Sequence, residues 1–130
     1  MTRLLQFLAA LPGILLLSIG TRWIVTPASV AMDMNVPMME GMARSTQIAD
    51  FGAFFAGSGL FILIGVVTSR RTWLYAGAIM MAFAAVFRTG AWLLHDAAFA
   101  SQAITIELVT FGPVLALAAK LKMDESSEDG

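Results

Sequence analysis

Four ionisable side chains stand inside stretches of sequence that are otherwise apolar: Arg22, Asp50, Arg88 and Glu107. A charge at mid-membrane costs on the order of 3 kcal/mol on insertion scales, so such residues pair with one another, hold a polar ligand or carry ions. Their formal charges sum to zero. Helical spacing gives each one companions. Arg88, Trp92 and His95 recur at i, i+4 and i+7 and share one face. Gln47 and Asp50 stand at i and i+3, Ser18 lies one turn before Arg22, and Glu107 shares a face with Thr110 and Phe111. Turned inward, these faces line a polar pocket in which Arg22, Gln47, Asp50, Arg88, Trp92, His95 and Glu107 touch a ligand. Phe51, Phe54, Phe55 and Met81 then offer it an apolar wall.

The same residues serve three kinds of chemistry. A binding site uses the charges to hold a polar head group. An intramembrane isomerase uses Asp50 or Glu107 as general acid or base and Arg88 to hold the substrate. An ion-pair network uses them only to set helix packing, as in an accessory subunit or a homo-oligomer. A proton path needs charges through the full depth, and the other halves of these stretches contain none. A single histidine makes no zinc motif. No cofactor is expected.

A second cluster is softer. Met32, Met34, Met38, Met39 and Met42 fall within eleven residues. Thioethers select Cu(I), which makes these the candidate metal ligands. Methionine also fills adaptable apolar surfaces. Val36 to Arg44 mixes apolar residues with Glu40 and Arg44 at i, i+4, and reads as a short amphipathic helix in the interface, a lid over the pocket. No histidine or cysteine joins the cluster, so the lid is the favoured reading.

The elements that position these groups follow from composition. The chain has 130 residues, 58% apolar and only 13% charged, with mean hydropathy +0.80 and net charge −1. Soluble domains carry about 25% charged residues. The balance excludes disorder and a basic face for nucleic acid. Without cysteine, disulfides, thiolate metal sites and thiol nucleophiles are excluded. A helix crosses a bilayer in roughly 20 apolar residues. Four stretches fit: 4–25, 48–67, 73–94 and the shorter 103–119. Period-2 alternation is absent, so the fold class is all-α.

Short links at Ser69-Arg70-Arg71 and His95–Ser101 force antiparallel neighbours, giving an integral membrane four-helix bundle over residues 1–122. The longer connection Thr26–Thr46 holds the amphipathic segment. Arg3, Arg70, Arg71, Lys120 and Lys122 fall on one side of this topology, Arg22 and Arg44 on the other. The positive-inside rule then places both termini of a multi-pass membrane protein in the cytoplasm. The first span exceeds the 7–15 residues of a signal-peptide core and reads as a retained helix. Residues 123–130, Met123 to Gly130, read as a disordered acidic tail. Small residues at Gly52, Ala53, Ala56, Gly57 and Gly59, and at Gly77, Ala78, Ala82, Ala84 and Ala85, allow close helix approach. Pro113 is expected to bend the fourth span, and Trp23, Trp73 and Trp92 to anchor span ends.

Three blocks carry a resemblance: residues 41–55 (GMARSTQIADFGAFF), 68–75 (TSRRTWLY) and 88–95 (RTGAWLLH). Together they resemble a bacterial family of small four-span membrane proteins with a domain of unknown function, which is similar in turn to DoxX-like and EXPERA-like four-helix proteins. The resemblance covers about residues 4–120. It implies an intramembrane site for a lipid-like or small amphipathic molecule, by analogy of fold. No functional residue of those families carries over motif by motif.

Overall fold

A computed structural model describes residues 2–129. Among these residues the fold is all-α, with five helices: α1 (Thr2–Val25), α2 (Pro27–Asp33), α3 (Gly41–Thr68), α4 (Arg71–Leu94) and α5 (Ser101–Asp129). All but α2 are long and apolar enough to cross a membrane, the character of a multi-pass membrane protein. The expected spans 4–25, 48–67, 73–94 and 103–119 each fall inside one of these helices. Helix α1 packs on α3 and α5, and α4 packs on the same two.

Local chemistry sets the breaks. Pro27 has no N–H and starts α2 at its first turn, which ends α1 just before it. Ser69 adopts a left-handed conformation, φ 54°, at the C-cap of α3, and α4 begins two residues later. Asp96, φ 55°, opens the segment between α4 and α5.

The connection between α1 and α3 differs from expectation. Its helix is Pro27–Asp33, not Val36–Arg44. Asn35 is left-handed at φ 62°, Pro37 lacks a donor and holds Val36 out of helical geometry, and Gly41 takes φ 59°, which glycine adopts without strain. Residues 36–40 therefore stay non-helical, and 41–44 become the first turn of α3. The Arg44 side chain makes no ion pair with Glu40; its Nε donates to the Met39 carbonyl at 2.7 Å.

The acidic end also differs. In place of the expected disordered tail, α5 continues to Asp129. Two ion pairs support the extension. Lys120 Nζ donates to Asp124 Oδ1 at 2.8 Å, one turn on, and Arg71 NH2 of α4 meets Glu125 Oε2 at 3.2 Å. The prolines at 12 and 113 lie within continuous helices.

Close packing is densest between α1 and α3. Gly13 and Gly20 stand seven residues apart on α1, and Gly52 and Gly59 do so on α3. A Cβ at Gly59 would meet the Leu17 nitrogen at 2.5 Å and the Gly13 carbonyl at 2.6 Å, and one at Gly20 would strike the Ala56 backbone. These glycines let the two backbones touch. Gly57, by contrast, faces open space.

Candidate functional site

The helices meet in register, and the register defines a layer. Gly52 of α3 faces the Trp23 Cβ, and the Trp23 indole stacks on Phe51, centroids 5.0 Å apart and 12° from parallel. Ile62, further along α3, meets Gly77 of α4. Eleven residues onward in α4 and eleven back in antiparallel α3, Arg88 comes level with Phe51. Arg88 Nε in turn donates to Glu107 Oε1 of α5 at 3.1 Å. Trp23, Phe51, Arg88 and Glu107 thus lie within about one helical turn, roughly 5 Å, of a common level. That level is in the half of the helices nearest α2.

The four expected charges do not gather at one point. Arg22 turns toward α2, where its NH2 donates to Asp33 Oδ2 at 2.6 Å and to Ser29 Oγ at 3.1 Å. This pair clasps α2 against α1. Asp50 is exposed and makes no ion pair among the described residues. Of the four, only Arg88 and Glu107 pair with each other, joining α4 to α5. Gln47 is buried and is structural: its Oε1 accepts from the Met39 N–H and its Nε2 donates to the Pro37 carbonyl, both at 2.9 Å. It thereby pins the non-helical segment to α3. Trp92 is exposed and packs on Phe99, and His95 is exposed beyond the end of α4. Of the expected apolar wall, Phe55 and Met81 are buried, and Phe51 and Phe54 pack against them half-buried.

Glu107 is the unusual group. Its residue is only 6% exposed, and Oε2 finds no partner among the described residues. Thr110 Oγ1, on the same helix, serves the Glu107 carbonyl and not its carboxylate. Two further buried polar atoms lack a partner among the described residues, Trp23 Nε1 and Ser58 Oγ. Trp23 is 0% exposed, so the expectation of an interfacial anchor fails for it. Its ring is held in the core by the stack on Phe51, and nothing in its sequence position signals this.

Packing around this layer is uneven. The buried residues of α4 are Leu74, Gly77, Ala78 and Met81, and from Ala82 to Leu94 none is buried. A Cβ at half-buried Gly90 would meet nothing within 4 Å. On α5, Glu107 is the sole buried residue before Val114. The helices are thus close-packed toward the Arg70 turn and loosely packed around α4 toward α2. Two shallow open grooves lie elsewhere, on α1. One, about 380 Å³, runs between α1 and α3 past Gly20, Ile24, Ile48 and Ala53. The other, about 420 Å³, follows Ile14, Leu17, Thr21 and Arg22. Neither includes Glu107.

Met34 and Met38 pack against the core, while Met32, Met39 and Met42 are exposed. Among the described residues no three His, Asp or Glu side chains converge to hold a metal ion. Asp33, Ser29 and Trp23 were missed as partners in this region. No family model, curated protein or solved structure matches the chain.

Proposed function

We propose that the chain forms a four-helix bundle in the bacterial inner membrane, both termini cytoplasmic, and binds a lipid-like or small amphipathic molecule in its outward-facing half. One observation carries this reading. A carboxylate oxygen of Glu107 is buried without a protein partner in the half where α4 has no buried residue. A buried acceptor without a partner is destabilising by about 1–3 kcal/mol, and more when charged, so it is kept where a ligand supplies the missing contact. Arg88 neutralises the site and, with its side chain 36% exposed, stands at its rim between α4 and α5. The apolar residues below, Phe55 and Met81, suit the hydrocarbon part of the same molecule. The orientation rests on Arg3, Arg70, Arg71, Lys120 and Lys122, which share the end opposite α2. The DoxX-like and EXPERA-like resemblance supports the reading as analogy of fold only.

The test is add-back to delipidated protein. Membrane lipids are fractionated by polarity and each fraction is added while thermal unfolding is followed. A ligand at a hundred times its Kd stabilises by about 2.7 kcal/mol. One fraction is expected to raise the Tm of the wild type and not of Glu107→Leu. Equal shifts with every fraction, or none with any, would defeat the reading.

A second reading is assembly with a partner helix. The groove beside Gly52, Ala53 and Ala56 favours it, since small residues admit a close neighbour. Under that reading the mass in mild detergent is a discrete multiple of 13.9 kDa or includes other polypeptides.

A further inference from the structure

The layer that holds Glu107 contains a second polar atom without a partner, and the two are chemically complementary. Trp23 Nε1 is a donor and Glu107 Oε2 an acceptor. Both residues are buried, both lie within about one turn of the level of Phe51, and α1 packs directly on α5. The Phe51 stack holds the indole plane. Ser58 Oγ, the remaining unpartnered atom, lies seven residues along α3 from Phe51, about 10 Å away, and belongs to a different layer.

We infer that the ligand's polar end is a hydroxyl group, which accepts from Trp23 Nε1 and donates to Glu107 Oε2. This deepens the proposed function and rests on it. The donor count selects the class. An ammonium group satisfies Glu107 but offers Trp23 no acceptor. A carboxylate or phosphate accepts from Trp23 but brings Glu107 no donor and sets two anions against the one Arg88 guanidinium. An ether or ester accepts from Trp23 and leaves Glu107 without a donor. A hydroxyl has both functions on one atom and is small enough for a layer closed on the α1 side. The loosely packed half of α4, from Ala82 to Leu94, is the way in for an alcohol that carries an alkyl chain.

The test uses the full chain in detergent micelles and three probes of matched length: 1-hexadecanol, hexadecyl methyl ether and hexadecylamine. The indole N–H resonance of Trp23, assigned as the one that remains in both Trp73→Phe and Trp92→Phe, is followed during each titration. A hydrogen bond to a charged partner contributes enough that the alcohol is expected to bind about tenfold or more tightly than the ether. The alcohol should also shift the Trp23 indole proton downfield, with Trp73 and Trp92 unmoved. Trp23→Phe keeps the ring stack and removes the donor, so it should shrink the preference for alcohol over ether. Equal binding of alcohol and ether overturns the hydroxyl assignment and leaves the binding role standing, as does tighter binding of the amine. Binding of none of the three overturns both. If Trp23→Phe does not fold, the wild-type comparison and its indole shift still decide.

Discussion

Replacing Arg88 with leucine should be far more damaging than replacing Glu107. The Glu107 side chain is 7% exposed and the Arg88 side chain 36%. Arg88→Leu removes the partner of Oε1, and Oε2 already has none, so a buried carboxylate is left with no cation. Breaking a buried pair in this way is destabilising by about 3–5 kcal/mol. The arginine's partial exposure argues for the lower end, about 3 kcal/mol. Glu107→Leu leaves a guanidinium on a long stem in loosely packed surroundings near the end of α4. It can extend to the polar boundary, so the loss should be about 1 kcal/mol. With both replaced, no charge is stranded and stability should return to within about 1 kcal/mol of wild type. Unfolding in mixed micelles, driven by a denaturing detergent and read by circular dichroism, gives the four values of the cycle. Contact pairs couple by up to about 3 kcal/mol. The reasoning is refuted if Arg88→Leu is no worse than Glu107→Leu, or if the two effects add within about 0.5 kcal/mol.

Gly59→Ala should separate α1 from α3, because its Cβ meets backbone at 2.5 Å, with a loss of about 2 kcal/mol or more. Gly112→Ala faces open space in α5 and should be neutral or stabilising by up to about 1 kcal/mol; thermal melts of both variants decide. Gln47→Leu strips the Met39 amide and Pro37 carbonyl of their partners, so hydrogen exchange at the Met39 amide should accelerate while amides in mid-α3 stay protected. Unchanged exchange at Met39 would remove Gln47 from its pinning role. Asp50→Asn should not destabilise by more than about 0.5 kcal/mol, since Asp50 is exposed, makes no ion pair among the described residues and loses only a charge that a bilayer disfavours; a larger loss in the same melts would show a hidden partner.

The long helices were legible because each contains a run of apolar residues that only a membrane or a large core accepts. The pairing of charges was not. Arg22 pairs with Asp33, eleven residues on, only because Pro27 breaks the helix and folds α2 back. Helical periodicity cannot carry a face across such a break. Arg88 and Glu107 were both marked by their apolar surroundings, but their mutual contact depends on the length of the connection between α4 and α5. Asp50 satisfied the same rule and stands at the same level, one residue before Phe51, but is exposed. The rule reads depth along a helix, whereas exposure depends on which way that face turns. Trp23 shows the converse. Its place near the end of α1 fits an interfacial anchor, yet stacking on Phe51 and the approach of Gly52 draw it into the core. The helical acidic end depends on Arg71 reaching Glu125, a contact between α4 and α5 that local charge patterning does not reveal.

The most direct test of the binding role is native mass spectrometry of the protein released from its membrane in mild detergent, wild type beside Glu107→Gln. The account predicts the chain mass plus a defined small molecule in the wild type, and loss of that adduct in Glu107→Gln with the fold retained by circular dichroism. A bare 13.9 kDa mass for both proteins, or the same adduct on both, would contradict it.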